Sequence, residues 1–119
     1  MWSRFSRSLG WAFKGIIWAL KTERHMQFHL LATVAAILVA YWLKISVTQW
    51  LFIIFAIALV WMAELINTAI EAVVDLCTQD HHPLAKVAKD VAAGAVLIAA
   101  VNSLVVAALV LLPKLLSQL

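Results

Sequence analysis

Residues 47–76 read VTQWLFIIFAIALVWMAELINTAIEAVVDL, thirty residues without a glycine or a proline. As a helix with a rise of 1.5 Å per residue this stretch is about 45 Å long, against about 30 Å for the hydrocarbon core of a bilayer. Its first half is almost wholly apolar, whereas its second half carries Glu64, Asn67, Glu71 and Asp75. At 100° per residue these four side chains fall within about 80° of one another, a single polar stripe along one helix face. The stripe begins near one membrane surface and continues out of it. One stretch therefore predicts both a membrane-spanning helix and a polar site at its end.

The flanking sequence supplies the rest of the fold. Residues 26–43 form a preceding span, uninterrupted in its apolar character after His29 and about 27 Å long as a helix. Tyr41, Trp42 and Trp50 flank the short 44–46 connection as an aromatic belt at the far interface. On the other side, the polar segment 78–90 contains His81, His82 and Pro83 and turns the chain back. A third helix is expected over 84–112, its apolar run 91–112 closed by Pro113 and Lys114. Ahead of all three spans, residues 2–22 place Trp2, Phe5, Leu9, Phe13, Ile16 and Leu20 at helical spacing opposite Arg7, Lys14 and Lys21. That pattern predicts a helix lying on the membrane surface. The expected architecture is one all-α integral membrane domain over 1–119, a surface helix plus three spans. Strand signals are absent, because the apolar runs are far longer than the alternating segments of a β-barrel.

Composition agrees. Of 119 residues, 66% are hydrophobic and 13% charged, with a mean hydropathy of +1.00. These values exclude an ordinary soluble domain, a disordered chain and a coiled coil. Arg4, Arg7, Lys14, Lys21, Arg24, Lys86 and Lys89 fall on the amino-terminal side of the membrane and only Lys44 and Lys114 on the other. The positive-inside rule thus puts the amino terminus in the cytoplasm. No soluble module backs the basic residues, which argues against nucleic acid as a partner. Lys14 and Lys21 interrupt the amino-terminal segment and argue against a cleaved signal peptide. Cys77 is the single cysteine, so neither an internal disulfide framework nor a multi-cysteine metal site is available.

Three acids on one helix face repel one another and call for a cation from elsewhere. Lys86, Lys89 and Asp90, at i, i+3 and i+4 where the third span begins, supply candidates, and Glu23 adds a carboxylate just before the first span. Carboxylates from different helices with a lysine are the parts that hold Mg²⁺ together with a phosphate. A further carboxylate can accept a hydroxyl proton in phosphoryl transfer. By spacing alone two other readings stand: a bundle interior satisfied by Lys or Arg, and a cation channel or transporter lined by Glu64 and Glu71.

Weaker features carry less. Gly10 to Gly15 imitates the start of a phosphate-binding loop, but Ile16 and Ile17 occupy the places of its Lys and Ser/Thr. His25 and His29 have the i, i+4 spacing of zinc ligands without a third ligand, and read as interfacial packing or lipid contact. Asn102, in mid-span, reads as an interhelical hydrogen bond, and Cys77 as an inert thiol.

Residues 63–75, AELINTAIEAVVD, and 82–90, HPLAKVAKD, resemble the signature of the prokaryotic diacylglycerol kinase family of small integral-membrane lipid kinases. The likeness runs from Arg4 through Lys14-Gly15 and Thr22-Glu23-Arg24 to the third span. The resemblance implies a homotrimeric helical bundle with active sites shared between subunits at the cytoplasmic interface. It implies Glu64 as catalytic base, Glu23 and Glu71 as ligands of the metal and nucleotide phosphates, and ATP with Mg²⁺ as phosphate donor. It implies nucleotide contacts from Lys89, Asp90, Asp80, His81 and His82, with Asn67 and Asp75 lining the same pocket. Arg4 and Trp11 match amino-terminal residues that approach the nucleotide. KTER at 21–24 and HPLAK at 82–86 are similar to the Gram-positive branch, whose members phosphorylate undecaprenol, with diacylglycerol as the alternative acceptor. Ala93 departs from the serine of the Gram-negative branch. These properties imply a multi-pass protein of the bacterial inner membrane.

Overall fold

The computed structural model describes residues 2–119, which form four helices and, among the described residues, no strand: α1 (Trp2–Thr22), α2 (Arg24–Trp42), α3 (Val47–Cys77) and α4 (Pro83–Gln118). α2, α3 and α4 are each long and apolar enough to cross a membrane. α1 instead separates a polar face from an apolar one, with Trp2, Phe5, Trp11 and Phe13 exposed. Its small residues Ala12, Gly15 and Ala19 lie beside Thr68, Ala69 and Ala72 of α3, where short side chains let two backbones approach.

The α1–α2 corner is made at Glu23, whose extended backbone breaks the helix. The Gln27 side-chain amide donates to the carbonyls of Leu20 and Lys21 at 3.0 and 3.5 Å, satisfying acceptors that the end of α1 leaves open. Met26, fully buried, follows one turn into α2.

At the far end Lys44 adopts φ 54°, and the amides of Lys44 and Ile45 reach back to the carbonyls of Tyr41 and Ala40. This is the left-handed closure that terminates many helices, here built on a lysine instead of the usual glycine. α3 then starts on a reciprocal cap: the Gln49 amide donates to Ser46 Oγ at 3.2 Å and the Ser46 amide to Gln49 Oε1 at 3.0 Å. Ala40, Leu43, Ile45, Ile53 and Val110 pack together around this turn as the apolar core.

α3 and α4 form the most extensive helix pair. Ala56 and Val60 of α3 and Ala92 and Ala99 of α4 are buried. α4 runs past the end expected at Leu112, carrying Pro113 inside it to Gln118. The ring removes one amide donor, but Leu109, whose carbonyl loses it, is exposed, so the lost bond does not leave a buried orphan and the helix continues. Leu38, Leu97, Ile98 and Leu109 remain more than 60% exposed. Such faces suit acyl chains or a neighbouring helix, and the chain is only 21 Å across its thinnest dimension.

Candidate functional site

The polar stripe of α3 divides between two neighbouring helices. Glu64, only 4% exposed, faces α2, where its Oε1 lies 3.1 Å from His29 Nε2. One turn along α2, Thr33 Oγ1 donates to the His29 carbonyl at 2.7 Å and accepts from Trp61 Nε1 at 2.9 Å. Asn67 Nδ2 donates to Glu71 Oε1 at 3.2 Å, and Asn67 Oδ1 is buried without a hydrogen-bond partner. Farther out, Asp75 Oδ1 accepts from Lys89 Nζ of α4 at 2.7 Å. The cation that the acids call for is thus Lys89 at the outer end, while the deepest acid has an imidazole.

Residues 78–82 join α3 to α4 just beyond this point, and the junction holds a cleft of about 680 Å³ lined by Asp75, Asp80, His81, His82, Lys86, Lys89 and Asp90. Its floor is the start of α4. His82 Nδ1 accepts from the Leu84 amide at 3.1 Å, capping the helix, and Pro83 occupies the first turn where no donor is needed. Accepting at Nδ1 leaves His82 its Nε2–H to present to the cleft. The amino-terminal end of so long a helix favours an anion, and Lys86 and Lys89 add positive charge. Lys86 donates to Asp90 Oδ2 at 2.6 Å. Both amines are held above the ordinary lysine value, each first by the hydrogen bond to its carboxylate, so they stay charged. Glu71 adds its field at Lys89, which ties the inner part of the stripe to the cleft.

The structure brings six expected residues, Asp75, Asp80, His81, His82, Lys89 and Asp90, to the cleft, whereas Glu71 and Asn67 do not line it: Glu71 lies one turn deeper along α3, and Asn67 lines the apolar groove between α3 and α4. Arg4 and Trp11 are exposed on α1 and do not line it. Glu23 is half-buried at the α1–α2 corner, with no cap bond from its side chain. Among the described residues no three His, Cys, Asp or Glu side chains group as a metal cage. The residues present nevertheless fit Mg²⁺, a hard cation that takes one or two carboxylates and completes its shell with water and phosphate oxygens. Asn67 Oδ1, buried and unpartnered beside the Glu71 carboxylate, is an acceptor of that kind.

His29, read from spacing as interfacial packing or lipid contact, is the hydrogen-bond partner of Glu64, a pairing the spacing did not indicate. The sequence signal was its depth, since His29 stands 15 residues before Lys44 and Glu64 20 residues after it on antiparallel helices. Asn102 also departs from expectation. It is exposed at an apolar groove between α3 and α4, and no interhelical hydrogen bond engages it among the described residues.

The family model described as prokaryotic diacylglycerol kinase matches residues 10–111. Undecaprenol kinase of Bacillus subtilis (strain 168) is 45% identical over 113 residues, covering 95% of this chain and 92% of that protein. Diacylglycerol kinase of Synechocystis sp. is 42% identical over 111 residues, 92% of this chain and 63% of that protein. Diacylglycerol kinase of Escherichia coli (strain K12) is 32% identical over 103 residues, 87% of this chain and 84% of that protein. With three membrane-spanning helices and this match along nearly its whole length, the chain belongs to the prokaryotic diacylglycerol kinase family and is a bacterial multi-pass membrane lipid kinase that draws phosphate from a nucleotide.

Proposed function

We propose that the chain transfers the γ-phosphoryl group of ATP to the hydroxyl of undecaprenol at the cytoplasmic face of the bacterial inner membrane. The observation that carries this reading is the separation of the acids by depth. Glu64 is buried against α2, whereas Glu71 and Asp75 lie about 10 and 16 Å farther along α3 toward the open cleft. A lipid hydroxyl arriving from the bilayer and a polyphosphate arriving from water would meet between them.

In this reading Lys89, His81, the His82 Nε2–H and the amino-terminal end of α4 orient the phosphates. Glu64 takes the hydroxyl proton as the oxygen attacks the γ-phosphorus, and ADP departs through the cleft. Glu23 and Glu71, with Asn67 Oδ1, would hold Mg²⁺, which when bound neutralises charge on the phosphate oxygens. Membership of a kinase family replaces the channel or transporter reading of the stripe.

Undecaprenol is favoured over diacylglycerol by the 45% identity to the Bacillus enzyme and by the KTER and HPLAK segments. Arg4 and Trp11 lie outside their own subunit's cleft, which supports a homotrimer in which α1 serves a neighbour's site. The amino terminus is cytoplasmic, because seven of the nine Lys and Arg residues lie on its side. The test is an assay with labelled ATP in mixed micelles, with undecaprenol and diacylglycerol side by side. Faster phosphorylation of undecaprenol is expected. Failure with both lipids rejects the reading, and preference for diacylglycerol reassigns the acceptor.

A further inference from the structure

We propose that His29 is a positioning residue for Glu64, donating from Nε2–H to one carboxylate oxygen so that the other is held toward the lipid hydroxyl. The inference rests on the reading of Glu64 as the base. His29 Nε2 and Glu64 Oε1 are 3.1 Å apart, with side chains 15% and 5% exposed. An ionised carboxylate can only accept, so this contact requires the proton on Nε2. A lone buried carboxylate would pay a large desolvation cost; one charge-assisted hydrogen bond offsets part of it and fixes the rotamer.

The imidazole is itself held in place. Thr33 Oγ1 donates to the His29 carbonyl and accepts from Trp61 Nε1, so α2 and α3 are tied at two levels, His29 to Glu64 and Thr33 to Trp61. Those pairs run in opposite chain directions, as antiparallel helices require, and they lock the helical register. With Oε1 engaged, Oε2 makes no hydrogen bond among the described residues and is free to act. As the substrate oxygen bonds to the γ-phosphorus and the bond from that phosphorus to ADP breaks, the hydroxyl proton moves to Oε2. The Nε2–H stays on His29 throughout.

The test uses the full-length enzyme in micelles with three His29 variants, Glu64→Gln, and the Glu64→Gln/His29→Leu double variant. His29→Leu removes the donor at similar volume. His29→Gln can place an amide N–H near the same reach, and His29→Asn is one methylene too short. His29→Leu and His29→Asn are expected to lower kcat about 10- to 100-fold, the order of loss that misplacing a catalytic group causes. KM for ATP and for lipid should stay within about twofold, and His29→Gln should recover most of the turnover. In a Glu64→Gln background, His29→Leu should cost little more, because the two residues act as a unit. Wild-type kcat in the His29→Leu or His29→Asn enzyme overturns the inference, as does failure of Gln to rescue with its melting temperature unchanged, or an undiminished loss in the Glu64→Gln background. If His29→Leu does not fold, the Gln–Asn contrast decides. Full turnover in Glu64→Gln alone removes instead the reading of Glu64 as the base.

Discussion

Lys89 Nζ lies 2.7 Å from Asp75 Oδ1, so the amine lining the cleft is aimed by a carboxylate of the facing helix. The two side chains are 41% and 65% exposed. An ion pair so well solvated orients its members more than it stabilises the fold.

Lys89→Met should therefore leave the melting temperature nearly unchanged while raising KM for ATP about 10- to 100-fold, the scale of a lost hydrogen bond to a charged group. The pH dependence follows from the direction of the shift. Asp75 raises the Lys89 amine above its ordinary value of 10.5. The contribution of the pair is thus complete below that value and is lost only as pH climbs through the higher folded one. Nucleotide affinity measured between about pH 7 and 9 should show no decline that Lys89→Met abolishes; such a decline would count against this role.

Much of this arrangement was legible from spacing. Glu64, Asn67, Glu71 and Asp75 share a face because helix geometry requires it, and the apolar runs around them are long enough to cross a bilayer. What spacing does not carry is the partner of each side chain. His29 is separated from Glu64 by a whole helical hairpin, and only the antiparallel register of α2 and α3 brings them together. Pro113 misled for the opposite reason: its local rule holds in a buried helix interior, whereas the carbonyl it leaves without a donor belongs to the exposed Leu109.

Sharing of sites can be tested by mixing Arg4→Ala with Asp90→Asn, each inactive alone on the proposed reading. Asp90 lines the cleft and Arg4 lies outside it in the same subunit. If α1 serves a neighbour, a randomly mixed cyclic oligomer at equal ratio regains about a quarter of its sites intact. Activity rising toward that fraction in purified mixed oligomers is the expected outcome; none at any ratio would place the whole site in one subunit.

The turn between α2 and α3 offers a prediction independent of chemistry. Lys44 holds φ 54°, a conformation that a side chain disfavours and glycine does not. Lys44→Gly should raise stability by about 0.5–1 kcal/mol, the balance of relieved strain against the greater freedom of glycine in the unfolded chain. Thermal unfolding in detergent measures it, and a lower melting temperature would show that the Lys44 side chain supplies something the backbone does not.

Glu64 and Glu71 share a helix face but not an environment, and paired substitutions test the separate roles proposed for them. Glu64 is buried and hydrogen-bonded to His29, whereas Glu71 is half-buried beside Asn67, whose free oxygen is an acceptor suited to a metal. Glu64→Gln keeps size and hydrogen-bonding capacity but cannot take a proton, so turnover should fall about 10²- to 10⁴-fold with Mg·ATP binding retained. On the proposed reading Glu71→Gln weakens a metal ligand, so it should reduce Mg·ATP affinity as well as turnover, and higher Mg²⁺ should restore part of the loss. Nucleotide binding and initial rates, each titrated against Mg²⁺ for both variants, give the answer. Loss of Mg·ATP binding in Glu64→Gln together with intact binding in Glu71→Gln would exchange the two assignments.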